Sequence, residues 1–394
     1  MGIFLLIVGI LLFIGLVIVH EMGHFFAARR GGVDVEEFGI FFPPRLWKKR
    51  MRGGWDFTIN LLPLGGFVKL KGEHDSDTAK GSYGASSTAT KVKIMLAGVF
   101  MNLMAALVLF TFLALVGMPK LVDNQFSVKS DTKIVKNDVL VSFIEPGSPA
   151  AKAGLQLRDR IIAITTISGT TSKGQERIIT SSKSLMQATA ADAGKAVQIS
   201  YVRNGKQLVA LANLRSDAAV NASQKTVHPQ GHLGLEPAEY TLRRSTWSAP
   251  VVAVGLSAQL TALTYQGLGH ALGGLGGIIA GAFTGNHAAR ENAQTSASGQ
   301  VSGPVGIFVI LKAGSLLGYQ FMLMIIGVIS LTLAIMNVLP IPALDGGRLF
   351  VMIISRLLRK NISARAEEAI YGTGFAVLMV LIVIITVVDV KRFF

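Results

Sequence analysis

The sequence predicts a polytopic α-helical membrane protein with four spans, a membrane-associated β-hairpin and an inserted α/β domain. Three observations carry that reading. Four segments, Ile3–Ala28, Ile94–Met118, Ile307–Leu339 and Ala369–Val388, approach the ~20 apolar residues that a bilayer crossing needs. The chain is 51% hydrophobic over 394 residues, with a mean hydropathy of +0.51, which leaves room for one soluble module. Between the second and third spans the pattern changes to short β-branched runs separated by turn residues.

Taken in order, residues 1–28 form the first span. Ile3 to Val19 carries no charge, and His20-Glu21-Met22-Gly23-His24 then follows without a helix breaker before Arg29-Arg30. Residues 29–93 hold Arg29, Arg30, Arg45, Lys48, Lys49, Arg50 and Arg52, a basic excess that places this loop on the cytoplasmic side. Within it Trp55, Phe57, Ile59 and Leu61 alternate with Asp56, Thr58 and Asn60, a period-2 strand. Leu64-Gly65-Gly66 is expected to turn the chain into a second strand, Phe67–Lys71. After the second span (94–118), residues 123–217 read as the α/β module. Its expected strands are Asp138–Ile144, Arg160–Ile164, Val197–Val202 and Gln207–Leu211, the last two joined at Asn204-Gly205. Its expected helices are Ala150–Gly154 and Ser184–Ala191. Residues 218–302 are expected to be an extracytoplasmic linker with an interfacial element. Ser245–Asn286 is rich in glycine and has no Asp, Glu, Lys or Arg, so it reads as non-crossing, and Gln294–Gly299 is a Ser-rich linker. Residues 307–345 carry the third span, 346–368 a second basic cytoplasmic loop, and 369–388 the fourth span.

The chemistry concentrates at the cytoplasmic ends of the first and third spans. Residues four apart share a helix face, so His20 and His24 offer two imidazoles to one Zn²⁺, with Glu21 beside them to take a proton from water. Ionisable residues at membrane depth are costly and usually functional. A hydrolytic zinc site needs a third protein ligand. With no cysteine in the chain, zinc must be held by His, Asp or Glu, and Asp345, at the end of a long uncharged run, falls at the same depth as His20 and His24. Asn337 offers an amide to a substrate carbonyl, and Pro340 and Pro342 break the helix between the two. The formal net charge of +15 reflects basic loops facing anionic lipid, and the few aromatic residues among them argue against nucleic acid. Rival readings are an inactive binding protein and a transporter; the latter predicts inverted repeats, and none is visible.

The combination of H-E-x-x-H in a first span with Asn337-x-x-Pro340-x-Pro342-x-Leu344-Asp345-Gly346 in a later one resembles the site-2 protease family. Gly147-Ser148-Pro149-Ala150-Ala151-Lys152-Ala153-Gly154-Leu155 resembles a bacterial PDZ domain, so the inserted module is expected to be PDZ-like. The resemblance implies an intramembrane zinc metalloprotease of the bacterial inner (cytoplasmic) membrane with the PDZ-like domain outside. Its implied substrates are single-span proteins such as anti-sigma factors or remnant signal peptides. It assigns His20, His24 and Asp345 to zinc, Glu21 to general base catalysis, and Asn337 to substrate. In the second span Ala97–Asn102 is similar to a family G-P-x-x-N element with Val99 in place of proline, which leaves Asn102 either a substrate contact or a brace between helices. Several members carry two PDZ domains, whereas this chain has room for one. The hairpin resembles a membrane-associated β element of the family, with Ile59, Leu61, Gly65 and Gly66 placed to meet an unwound substrate strand.

Overall fold

A computed structural model describes residues 2–74, 77–168, 172–224, 229–284, 303–359 and 362–393; the expected Gln294–Gly299 linker lies outside them. The chain divides into two compact units, one made of residues 1–118, 124–128 and 246–394, the other of 119–123 and 129–245.

In the first unit, α1 (Gly2–Arg30) runs through the uncharged segment and closes with Arg29 and Arg30 in its last turn. Two long strands follow, β1 (Val35–Arg50) and β2 (Asp56–Leu70). The turn between them is Met51–Trp55, where Gly53 and Gly54 take φ of +106° and +85°. Gly65 and Gly66, expected to form the turn, instead lie within β2. Both strands bend back on the sheet: residues 37–40 of β1 pair with 56–59 of β2 and also with 66–69. Ile59 is therefore paired on both sides, with Ile40 and Trp47, and residues 66–70 form an edge whose recorded partners are all in 35–40. The alternation of Trp55, Phe57, Ile59 and Leu61 signalled a strand correctly, but it could not show which run of the sheet would be outermost.

Helix α2 (Thr88–Val116) is capped by the Ser87 side chain, which accepts from Thr90 N at 3.2 Å, and ends at Gly117, φ +132°. Helix α6 (Ala249–Thr284) corrects the expected count of four. Among the described residues five helices are long and apolar enough to cross a membrane, and the added one is the Ala249–Ala271 stretch of α6. Its first turns pack on the bundle: Ala249, Val252, Ala253 and Leu256 are buried with Ala106, Phe110 and Leu113 of α2. The expected third span is divided into α7 (Pro304–Gly314) and α8 (Tyr319–Val338), parted near Gly318, which takes φ +103°. Residues expected to be a loop form α9 (Asp345–Leu357), and α10 (Ala364–Phe393) follows. The buried Asp389 of α10 accepts hydrogen bonds from Gly303 N and Gly306 N, both at 2.8 Å, and so caps α7 across the bundle.

The second unit is built on a seven-stranded sheet. In order along the chain its elements are β3 (Met118–Pro119), β4 (Lys133–Ile144), α3 (Pro149–Lys152), β5 (Arg160–Ser168), β6 (Ser172–Ile178), α4 (Ser182–Ala191), β7 (Ala196–Arg203), β8 (Lys206–Asn213), α5 (Asp217–Ser223) and β9 (Leu235–Arg244). The sheet order is β3-β9-β4-β5-β7-β8, with β6 on β5. Asn204 and Gly205 turn β7 into β8 with positive φ at both positions. The module extends past the expected boundary at Asp217, because β9, read as linker, pairs along the length of β4 from Lys133–Arg244 to Ile144–Leu235.

Candidate metal centre

The first unit brings together His20 and His24 of α1 and Asp345, the first residue of α9. Asp345 Oδ2 lies 3.2 Å from His20 Nε2 and 3.1 Å from His24 Nε2, and the two Nε2 atoms are 3.2 Å apart. Three ligands ~2.05 Å from one tetrahedral ion stand about 3.3 Å from each other, so the spacing fits Zn²⁺. The hydrogen-bond pattern points the same way. His24 Nδ1 donates to Ile94 O at 2.8 Å, which leaves Nε2 a lone pair aimed at the cluster. His20 Nδ1 lies 3.3 Å from the Asn102 carboxamide. A proton on that nitrogen requires the amide oxygen to face it, and this orientation also gives buried Asn102 Oδ1 the partner it otherwise lacks. Asp345 Oδ2 is buried with no hydrogen-bond donor. Three electron pairs thus converge where a cation would satisfy all of them.

Two glycine positions make this convergence possible. A methyl group on Gly98 of α2 would sit 2.6 Å from His20 Cε1 and 2.7 Å from His20 Nε2, so α2 crosses directly over the two imidazoles. Gly346, next to Asp345, packs against the backbone of Val338 and Leu339 too closely for any side chain, which fixes the first turn of α9 against the end of α8.

Glu21 stands where two cavities meet. One, of 370 Å³, is walled mainly by apolar residues of α1, β1, α7 and α10, and includes Gly65 and Gly66. The other, of 310 Å³, holds His20, His24, Asp345 and Arg348, and is walled by Gly66–Leu70, the edge run of β2. Gly66 packs close to the Glu21 stem, a Cβ there falling 3.0 Å from Glu21 Cγ. The remaining expected residues are elsewhere. Ile59 and Leu61 are 36% and 52% exposed and line neither cavity. Asn337 is half-buried in the last turn of α8, also outside both linings. Asn102 touches His20, so its observed contact is with the metal cluster.

Sequence reasoning did not find Ile94, Gly98 or Arg348. Ile94 acts through a backbone carbonyl and leaves no side-chain signal. Arg348 follows Asp345 by one helical turn, a spacing visible only once α9 is known to be a helix. Gly98 was part of a motif but had no partner until α2 was seen to cross α1.

An apolar helical bundle with a buried His–His–Asp cluster beside a glutamate defines a multi-pass membrane protein with a candidate hydrolytic metal centre. The chain belongs to Peptidase family M50, whose model matches residues 8–381, nearly the whole length. It is 28% identical to a protein of Clostridium perfringens (strain 13 / Type A) provisionally named a zinc metalloprotease, over 98% of both chains. A protein of Campylobacter jejuni with the same provisional name is 29% identical, over 96% of this chain and 90% of its own. The zinc metalloprotease RasP of Geobacillus kaustophilus is 25% identical, over 98% and 97%.

Proposed function

We propose that this peptidase is an intramembrane zinc metalloprotease that cuts single-span substrates within or near their transmembrane segment. The carrying observation is the convergence of His20 Nε2, His24 Nε2 and the donorless Asp345 Oδ2 at 3.1–3.2 Å, with Glu21 beside them. When bound, Zn²⁺ supplies Lewis-acid polarisation of a carbonyl and lowers the pKa of water to about 7. Glu21 takes the proton from the attacking water and passes it to the leaving amine. Its place between the two cavities suits both transfers: the apolar cavity accepts the substrate's hydrophobic residues, and the polar one admits water. A peptide must be unwound before its carbonyl is reachable. The edge run 66–70 of β2 offers backbone groups to an extended substrate strand alongside the cluster. This transfers the expected strand addition from Ile59 and Leu61 to Gly66–Leu70. Asn337 is proposed to contact substrate once it is bound.

The physiological role we propose is regulated intramembrane proteolysis in a bacterial cytoplasmic membrane, on anti-sigma factors or remnant signal peptides, with the second unit outside. That unit is proposed to be a PDZ-like filter that excludes uncut ectodomains or binds a fresh C-terminus by strand addition. If full-length substrate stays resistant after deletion of residues 129–245, the filter is disproved.

The decisive experiment pairs zinc content with cleavage of a single-span substrate in detergent, for wild type and Glu21→Gln. The expected result is about one zinc per chain in both and cleavage in wild type alone. Equal cleavage by the variant would remove Glu21 from the mechanism, and a wild type that cannot take up zinc would remove the metalloprotease.

A further inference from the structure

Helix α9 has an outer face that the described chain leaves open. Phe350, Ile353, Ile354 and Leu357 are 50%, 48%, 36% and 75% exposed, and Leu358, just beyond the helix, is 61% exposed. Their spacing of i, i+3, i+4, i+7 and i+8 makes one continuous helical stripe. The opposite face is buried through Gly346, Gly347, Met352 and Ser355, with Leu349 packed on the cluster around Phe25 and Val35. Polar groups flank the stripe. Arg348 stacks over Tyr371 at 5.2 Å and reaches Glu73 at 3.5 Å, and Arg356 donates to Thr88 Oγ1 at the start of α2. The helix is therefore docked on protein by one face and presents a second apolar face outward.

Chain length and the contacts at its two ends bound where that face lies. Residues 339–344 join α9 to α8 and 358–363 join it to α10, both helices of membrane-spanning length. Six residues reach about 20 Å at full extension, short of a ~30 Å hydrocarbon core. The 13 residues of α9 rise about 20 Å, too little to cross. Contacts hold both ends at one end of the bundle: Gly346 packs on Val338 at the close of α8, and Arg356 bonds Thr88 at the start of α2, the end of α2 that meets His24 near the close of α1.

We infer that α9 is an in-plane helix seated in an anionic bilayer interface, and that this seat holds Asp345 against His20 and His24. The outer stripe enters the acyl boundary, while the exposed Arg359 just past the C-terminal end meets acidic headgroups. Asp345 is the first residue of this helix and Gly346 leaves no play against Val338, so displacement of α9 moves the carboxylate directly. The seat makes the metal centre responsive to the lipid around it. The second half of the inference rests on the proposed role of Asp345 as a zinc ligand.

The chain has no cysteine, so single labels need no prior background removal. Phe350→Cys, Ile353→Cys, Leu357→Cys and Arg359→Cys, each in the full-length protein, carry a nitroxide in vesicles of zwitterionic lipid with a quarter phosphatidylglycerol. Collision rates with oxygen and with a water-soluble nickel chelate are compared. Oxygen should dominate at 350, 353 and 357, and nickel at 359. Nickel dominance along the stripe would overturn the seat, as would protection from both reagents, which would mean that another protein or a second copy covers it. In a second arm, Ile353→Ser/Leu357→Ser should hold zinc about tenfold less tightly than wild type against a competing chelator, with the gap closing in detergent. Unchanged zinc affinity in vesicles would overturn the coupling. A wild type that binds no zinc would defeat the protease reading and the coupling with it, while the label pattern still decides the seat.

Discussion

Asp192 and Asp345 are carboxylates placed in opposite circumstances in the two units. Asp192 sits in the sheet unit, 1% exposed, and accepts from Thr166 Oγ1 at 2.7 Å, from Lys195 Nζ at 3.3 Å and from Arg177 Nη1. Burial raises its carboxyl pKa, but the bonds from Thr166, Arg177 and Lys195 outweigh burial and hold it below the ordinary carboxylate range. Asp345 turns a buried oxygen toward two imidazole nitrogens and meets no donor. A buried charge with donors on every side is structural; one facing only lone pairs calls for a cation.

Exchanging each acid for its amide tests that contrast most severely. Asp345→Asn should lower zinc affinity by well over ~100-fold, more than the 10–100-fold that loss of a ligand's hydrogen-bond partner costs. Elemental analysis after chelator dialysis reads it, and a variant that retains full zinc would refute the ligand assignment. Gly98→Ala comes next, because its methyl would displace the His24 and His20 rings. Cleavage should fall about 100-fold, the scale of a 1 Å misplacement, without loss of folded protein by size-exclusion profile. Asn102→Ala should weaken zinc binding about 10–100-fold. A rise in KM at unchanged zinc affinity would instead make Asn102 a substrate contact.

The smallest effect belongs to Asp192→Asn, which should leave zinc content untouched and destabilise the sheet unit by about 2 kcal/mol. Hydrogen exchange of the β5 and β7 amides would report it. The lowered carboxyl pKa also sets a pH window. The stabilisation from Asp192 is complete above about pH 4, the unfolded value, and is lost as acid carries the pH down through the folded value. A wild-type exchange pattern that did not change on acidification, or that was lost on going upward from pH 4, would show that Arg177 and Lys195 do not stabilise the carboxylate.

The parts legible in the sequence were those with a local physical signature. His20 and His24 share a helix face by spacing alone, the β7–β8 hairpin is written in Asn204-Gly205, and the uncharged runs mark α1, α2, α8 and α10 as long apolar helices. Asp345 was reachable through depth in the membrane. What failed depended on tertiary packing. Gly267 and its neighbours read as irregular because glycine lowers helix propensity in isolation, whereas α6 runs on through them from a start packed on α2 at Ala249–Leu256. The Gly65-Gly66 pair signalled a turn, but β2 runs straight through it, with Gly65 against the Phe42 ring and Gly66 close to Glu21. Strand β9 has alternation too weak to see and exists because β4 offers it a ladder.

Asp389 constrains how the apolar cavity opens. That cavity is bounded by Pro304 and Ile307 of α7 and by Phe375, Leu378, Met379 and Ile382 of α10, and two 2.8 Å hydrogen bonds lock the start of α7 to Asp389. Swinging α10 alone would strip a buried carboxylate of both donors, while swinging the two helices together breaks neither bond. On the proposed intramembrane route, a substrate arriving from the lipid would meet α7 and α10 as one double panel, latched at the start of α7 by a single side chain.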